Sequence, residues 1–279
     1  SDSAGLQELF CRSAIVGITD PTYPTYVDVN IMDGRHEVKY LPCKPENNFV
    51  PQPPNYHLDL IYLCTPNNPT GTAMTKDDLA AWIVYAKQEE AIILLDAAYE
   101  RFITSDDVPH SIYSLPDAKQ VAIEMRTFSK SAGFTGLRCA YTVVPRETEL
   151  LAMWKMRQNN KCNGVSYPVQ KGAAASLTPQ GTTETSAAIA EYQNEMATLH
   201  AGLQKMGYTV YGGVDAPYLF WKTPNGETSW EFFDTLLEKC HLISIPGSSF
   251  GPCGEGYVRL SGFLRTGIAK QALSRIALL

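Results

Sequence analysis

The chain has 279 residues, of which 44% are hydrophobic and 19% are charged, and its formal net charge is −6. This length and composition predict a globular protein with one large domain or two unequal ones. The acidic balance excludes a broad surface for nucleic acid or an anionic membrane, because such surfaces need concentrated lysine and arginine. A small anionic ligand stays compatible with the charge, since a few arginines are enough to bind one.

Cysteine spacing and apolar run length exclude further classes of protein. The seven cysteines are scattered without a CxxC pair, so neither a disulfide framework nor a zinc site is predicted. No apolar run approaches the ~20 residues of a membrane-spanning helix. Free thiols are typical of a reducing compartment, so we expect a cytoplasmic protein, or one of the plastid stroma in a plant or alga.

Short apolar runs alternate with amphipathic stretches and predict an α/β fold with a mostly parallel sheet. The predicted strands are 13–19, 38–41, 58–64, 91–95, 121–125 and 140–144. The run 58–64 is apolar throughout, which is typical of a strand covered on both faces. Thr75 to Asp78 has the form of a capping box and predicts the start of a helix. The proline-rich stretch 42–54 is predicted to be a surface loop.

From residue 147 the pattern becomes mostly helical. Helices are predicted at 150–158, 167–177, 182–206, 230–240 and from 268 to the end. Strands are predicted at 209–211, 218–222, 242–245 and 257–261. We therefore divide the chain into a large domain of residues 1–180 and a smaller α+β domain of residues 181–279.

The stretch from Thr127 to Arg138 places one lysine, Lys130, among hydroxyls and glycines directly after an apolar strand. A lysine amine at the mouth of a cleft can attack a carbonyl carbon and form a Schiff base. Arg138, eight residues further on, could hold a phosphate nearby. Taken alone, the pattern is more typical of a solvated lysine in a glycine-containing turn, so the case depends on other residues.

Three more polar clusters follow predicted strands: Tyr23 with Tyr26, Asn68 in a proline-rich turn, and Asp96 with Tyr99. Ligands of open α/β sheets bind at the carboxyl ends of the strands, so these clusters could share a pocket with Lys130. Each also has a structural alternative. Asp96 could cap a helix, Asn68 could form a turn, and the tyrosines could pack in the core or in a loop.

In order and spacing, these motifs resemble the fold-type I pyridoxal-phosphate aminotransferases, or class I/II aminotransferases. The shared motifs are Asn-Pro-Thr-Gly at 68–71, Asp-x-x-Tyr at 96–99, the lysine stretch, and the arginine after it. More narrowly, segments 66–71, 96–100, 127–138, 141–145 and 163–170 resemble the LL-diaminopimelate aminotransferase family. The resemblance covers nearly the whole chain and implies an aspartate-aminotransferase-like fold.

The resemblance implies a role for each motif residue around pyridoxal 5′-phosphate. Lys130 would form the Schiff base and shuttle the substrate's α-proton, and Asp96 would face the pyridinium nitrogen. A carboxylate there keeps the nitrogen protonated, which makes the ring an electron sink. Tyr99 and Asn68 would hydrogen-bond the 3′-oxygen, and Asn68 would also contact the substrate. Tyr23 would stack on the ring.

The remaining implied roles concern the phosphate, the substrate and a second subunit. Thr127 and Arg138 would hold the phosphate, for which a hydroxyl and a guanidinium are suitable donors. Arg259 would pair with the α-carboxylate of the substrate, although alone it is equally compatible with a surface ion pair. Asn163 would reach the active site of the neighbouring subunit, so we expect a homodimer.

The implied reaction is ping-pong transamination that interconverts LL-diaminopimelate plus 2-oxoglutarate with tetrahydrodipicolinate plus glutamate, in lysine biosynthesis. The alternatives are another class I/II aminotransferase or related pyridoxal-phosphate enzyme, and a non-catalytic binding module on the same fold. The combined presence of the catalytic-type residues favours an enzyme. The sequence starts at Ser1 without methionine and lacks the family's amino-terminal arm, so a longer polypeptide is expected.

Overall fold

The computed structural model describes residues 4–279, and expectations that concern Ser1 to Ser3 lie outside the described residues. Its first sheet has six strands: β1 Val16–Asp20, β2 Val38–Pro42, β3 Leu60–Cys64, β4 Ile92–Asp96, β5 Ala122–Thr127 and β6 Ala140–Val143. The strand order is β2-β1-β3-β4-β5-β6. The first five strands are parallel and β6 is antiparallel to β5. The predicted mostly parallel sheet is therefore confirmed.

The helices that flank this sheet and continue the chain are α1 Thr25–Met32, α2 Lys76–Gln88, α3 Ala118–Val121, α4 Phe128–Ser131, α5 Leu151–Lys161, α6 Tyr167–Ser176, α7 Pro179–Lys205, α8 Ser229–Cys240 and α9 Ile268–Ile276. Thr75 caps α2 through the predicted capping box. Helix α1 was not among the predicted helices. Within residues 4–279, no helix is long and apolar enough to cross a membrane.

A second, antiparallel sheet consists of β7 Val210–Gly212, β8 Tyr218–Lys222, β9 Ile245–Pro246 and β10 Tyr257–Ser261, in the order β7-β8-β10-β9. The prediction of a strand at 242–245 was wrong in its bounds. His241 has a φ of 51° and Leu242 donates its N–H to the carbonyl of Leu236. These residues therefore form the carboxyl-terminal cap of α8 and are not available for sheet pairing.

Side chains of the central strands point alternately to the two faces of the first sheet, and both faces are covered. Ile61 and Leu63 of β3 pack on the face that α2 covers with Trp82. Leu60 and Tyr62 pack on the opposite face. All four of these β3 side chains are buried. The continuous apolar run therefore reflects a strand that is buried on both sides, as predicted.

Helix α7 contributes to two hydrophobic cores. Ile189 packs in a core of the first sheet, whereas Met196, Leu199 and Leu203 pack in the core beneath the second sheet. The proposed boundary at residues 180/181 falls in the first turn of this helix, and it stays a prediction. Beside the helix, the Asp215 carboxylate accepts hydrogen bonds from residues 104 and 105, which joins the β7–β8 connection to the segment that follows β4.

The stretch 42–54 is mostly the exposed connection that its prolines predicted, but four of its residues are buried. Phe49 is 1% exposed, and its ring makes edge contacts with Tyr211, Phe220 and Tyr257 at centroid distances of 4.9, 5.4 and 5.3 Å. Cys43 and Val50 are also buried. The loop therefore inserts an aromatic anchor against the second sheet, a long-range contact that local composition does not reveal.

Replacement of Phe49 by alanine should lower the free energy of unfolding by about 3–5 kcal/mol, because a buried aromatic ring is removed and a cavity remains. Urea denaturation followed by circular dichroism measures this loss. Tyr56→Ala is the matched control, since Tyr56 lies in the same connection and is 41% exposed. Equal stability of the two variants would contradict the anchoring role of Phe49.

Candidate active site

A cavity of about 450 Å³ opens where β3, β4 and β5 end and where the second sheet meets the first. Its lining includes eight of the nine residues predicted for the site: Tyr23, Asn68, Asp96, Tyr99, Thr127, Lys130, Arg138 and Arg259. The ninth, Asn163, is exposed between α5 and α6 and does not line the cavity. Residues of one chain that lie between positions 23 and 259 in sequence therefore line the same cavity.

Asp96 is the last residue of β4 and is held by two donors. The Tyr26 hydroxyl donates to Asp96 Oδ2 at 2.7 Å, and the Ala98 N–H donates to Oδ1 at 3.1 Å. Burial raises the pKa of Asp96, and these hydrogen bonds bring it part of the way back. Asp96 does not cap a helix, which was the structural alternative, because the next helical turn begins at Glu100 with Tyr99 as its cap residue. Oxygen Oδ2 instead depends on Tyr26, which lies 70 positions away in sequence.

Lys130 lies on the short helix α4, which begins directly after β5. The Thr127 side chain caps this helix by accepting the Ser129 N–H at 3.1 Å, and so fixes the turn that presents the lysine. Lys130 Nζ lies 5.0 Å from the centre of the Phe263 ring. Burial, together with the charges of Arg259 and Arg138, lowers the pKa of Lys130. The amine therefore loses its proton more easily than that of a solvated lysine.

Arg138 follows a tight turn and faces the same cavity. Its φ is +57°, and its guanidinium donates to the carbonyl of Thr135 at 2.8 Å. The hydroxyls of Thr127, Ser129 and Thr135 belong to the same lining. Together these groups form a cluster of donors around one cation, which is a suitable environment for a phosphate dianion.

Arg259 comes from β10 of the second sheet, and it forms no ion pair with any residue from 4 to 279. Its Nη1 donates to Asn68 Oδ1, in the loop after β3, at 2.6 Å. Its guanidinium carbon lies 4.5 Å from the ring centre of Tyr218 and 5.0 Å from that of Phe250. Burial lowers the pKa of Arg259, although a guanidinium stays charged at any working pH. A charged fork directed into a cavity is a suitable partner for a carboxylate.

Gly71 allows the loop that carries Asn68 to approach the second sheet. Its φ is +69°, and a Cβ at this position would lie 2.0 Å from the carbonyl oxygen of Tyr218. Only glycine fits both the conformation and the contact. The contact between Asn68 and Arg259 therefore depends on a backbone approach that no other residue permits.

Two residues of the site were missed by sequence reasoning. Tyr26 was noted as a neighbour of Tyr23, but its bond to Asp96 gave no local signal. Tyr218 was predicted only as the start of a strand, yet its hydroxyl lies 3.1 Å from that of Tyr99. Both contacts join residues far apart in sequence, so neither spacing nor periodicity could indicate them.

Comparison with known proteins is consistent with this fold and cavity. A family model described as aminotransferase class I and II matches residues 4–276. The chain therefore belongs to the aminotransferase class I and II family, and its fold is aspartate-aminotransferase-like.

More specific similarity is found to individual members of the family. The chain is 49% identical to an LL-diaminopimelate aminotransferase of Lawsonia intracellularis and 47% identical to one of Methanosphaera stadtmanae. Each match covers 99% of this chain and 72% of the relative. A solved L,L-diaminopimelate aminotransferase from Chlamydomonas reinhardtii superposes with a TM-score of 0.94 at 38% identity and covers 99% of this chain and 72% of that one.

Tyr26→Phe should raise the pKa of Asp96 further, by about one unit, since a hydrogen bond to a charged group contributes about 1.5–3 kcal/mol and one unit equals about 1.4 kcal/mol. Burial and the neighbouring Asp96 charge raise the pKa of Tyr26 well above its usual value, so the hydroxyl keeps its proton and can donate it to Asp96. Carbon-13 NMR of aspartate carboxyl groups, assigned with Asp96→Asn, measures the titration.

Tyr62→Phe is the matched control for this experiment. Tyr62 stacks on Tyr26 at a centroid distance of 5.0 Å, and its buried hydroxyl has no hydrogen-bond partner among the described residues. Its loss should leave the Asp96 titration unchanged. A wild-type titration in Tyr26→Phe would show that the hydrogen bond does not control the charge of Asp96.

Proposed function

We propose that this chain transfers an amino group between LL-diaminopimelate and 2-oxoglutarate, which yields tetrahydrodipicolinate and glutamate, as a step of lysine biosynthesis. The observation that carries the proposal is the convergence of Lys130, Asp96 and Arg259 on one cavity. Identity of 49% and 47% to proteins named LL-diaminopimelate aminotransferase supports the choice of substrates. These substrates are small and water-soluble, and a cytoplasmic location is part of the proposal.

Members of this family generally depend on pyridoxal phosphate, and the donor set of the cavity fits that cofactor. Asp96 is a half-buried carboxylate for the ring nitrogen, and Tyr99 and Asn68 offer donors for the ring oxygen. Thr127 and Arg138 offer donors for the phosphate, and Tyr23 offers an aromatic ring. When bound, the cofactor would supply an electron-withdrawing ring that stabilises negative charge on the substrate's α-carbon.

The chain's own residues would bind the substrate and move its proton. Arg259 would pair with the α-carboxylate, which places the amino group in the cavity that Lys130 lines. Lys130 Nζ would hold the cofactor at its aldehyde group, and the free neutral amine would accept the substrate's α-proton. Its lowered pKa suits both tasks, because only the neutral amine can accept a proton or attack a carbonyl.

Addition of pyridoxal phosphate to the full-length protein should give a visible absorbance band that Lys130→Ala abolishes. Lys171→Ala is the matched control, because Lys171 lies on α6 beside Tyr167, away from the cavity lining, and should keep the band. LL-diaminopimelate and glutamate should bleach the band. A band that survives in Lys130→Ala would disprove the role of this lysine.

The same experiment can also contradict the proposed substrate. Bleaching by aspartate or an aromatic amino acid, without bleaching by LL-diaminopimelate, would indicate another class I/II aminotransferase. A protein that binds the cofactor but exchanges no amino group would indicate a binding module on this fold.

A homodimer in which Asn163 serves the partner's active site is also part of this proposal. Asn163 is exposed and lies outside the cavity, which agrees with a role outside its own subunit. Exposed apolar side chains nearby, Met153, Met156 and Tyr167, offer area for a second copy.

Subunit complementation tests the role of Asn163. Asn163→Ala and Lys130→Ala should each have low activity alone, and mixing them after mild dissociation should restore part of the wild-type rate. In the mixed dimer, one site receives an intact Lys130 from one chain and an intact Asn163 from the other. Light scattering should give twice the chain mass, and failure of the mixture to gain activity would contradict the shared site.

A further inference from the structure

We propose that Tyr218 is a positioning residue that joins two parts of the cavity, because its hydroxyl fixes Tyr99 and its ring fixes Arg259. The inference rests on the function proposed above, in which Tyr99 faces the cofactor oxygen and Arg259 binds the substrate carboxylate. Tyr218 is the first residue of β8 in the second sheet, whereas Tyr99 follows β4 of the first sheet. One side chain therefore contacts groups on both sides of the domain junction.

The first contact is between two buried hydroxyls. Tyr218 Oη and Tyr99 Oη are 3.1 Å apart, and the side chains are 5% and 6% exposed. Each phenol has one proton to donate. If Tyr218 donates, Tyr99 keeps its proton for an acceptor in the cavity. If Tyr99 donates, it has no proton left for the cavity.

The charge of Arg259 favours the first arrangement. Burial raises the pKa of both hydroxyls, and that of Tyr99 is raised well above its usual value. At Tyr218, the neighbouring guanidinium and the hydrogen bond to Tyr99 offset part of the rise. Tyr218 is therefore the better donor of the two, and the proton of Tyr99 points to the cavity.

The second contact fixes the plane of the arginine. The guanidinium carbon lies 4.5 Å from the Tyr218 ring centre and 5.0 Å from that of Phe250, so two rings hold it. Its Nη1 bonds to Asn68, whereas Nε is buried without a hydrogen-bond partner among residues 4–279. The two rings thus restrict the orientation of the guanidinium, and its remaining N–H groups can still donate to a ligand carboxylate.

Tyr218 is itself held firmly enough to position its neighbours. Its carbonyl packs against Gly71, and its ring meets the rings of Tyr99 and Phe263 at 5.2 and 6.2 Å. Loss of the hydroxyl alone would therefore leave the ring in place. Mutation can therefore separate the role of the Tyr218 hydroxyl from the role of its ring.

The experiment compares Tyr218→Phe, which keeps the ring, with Tyr218→Leu, which removes both ring and hydroxyl. Tyr208→Phe is the matched control, since Tyr208 packs on Trp221 at 4.8 Å and does not line the cavity. Each protein is loaded with pyridoxal phosphate, and the pH midpoint of its visible absorbance is measured. The KM for LL-diaminopimelate is measured in parallel.

Tyr218→Phe should raise the pH midpoint by about half a unit, because Tyr99 no longer donates in a fixed direction to the cofactor oxygen. Its KM should stay within about twofold of wild type, since the ring still supports Arg259. Tyr218→Leu should raise the midpoint equally and raise KM about tenfold through loss of the cation–π contact. Tyr208→Phe should change neither quantity.

A wild-type midpoint in Tyr218→Phe would overturn the role of the hydroxyl, and a wild-type KM in Tyr218→Leu would overturn the role of the ring. Should Tyr218→Leu fail to fold by circular dichroism, Phe250→Leu supplies the ring test, with the same expected rise in KM. A wild-type protein that binds no cofactor would instead refute the proposed function, so the two failures are distinguishable.

Discussion

The half-buried carboxylate of Asp96 is the constraint on which the site depends. An ionised carboxylate away from water is costly unless donors satisfy it. Tyr26 and Ala98 supply those donors, and each comes from a different part of the first sheet's edge. Tyr26 in turn needs the stack on Tyr62 of β3. The hydrogen bonds to the Asp96 carboxylate therefore depend on the packing of three neighbouring segments.

The second sheet completes the cavity through close contact with the first. Gly71 and Gly212 both have positive φ, and a Cβ on either would clash with the backbone of the opposite segment. This approach brings Arg259 within hydrogen-bond distance of Asn68 and Tyr218 within reach of Tyr99. Asp215 holds the same junction from another side with four hydrogen bonds to Thr104 and Ser105.

Sequence reasoning predicted the features that depend on local sequence patterns. The sheet followed from apolar runs, and Lys130 and Asp96 followed from motifs that stand directly after strands. It failed for Phe49, because prolines dominate the local pattern and the packing partners lie more than 150 residues away. Tyr218 was missed for the same reason. Residues that act through contacts between the two sheets leave no periodic pattern in the sequence.

The cavity is electropositive although the chain as a whole is acidic. Lys130, Arg138 and Arg259 all line it, and the two arginines lower the pKa of the lysine. An anion that pairs with either arginine offsets part of that effect, since opposite charges cancel at close range. The proton affinity of Lys130 is thus coupled to anion binding. A phosphate near Arg138 or a carboxylate at Arg259 would offset only the contribution of the arginines, so burial, the largest cause, still lowers the pKa of Lys130 when an anion is bound.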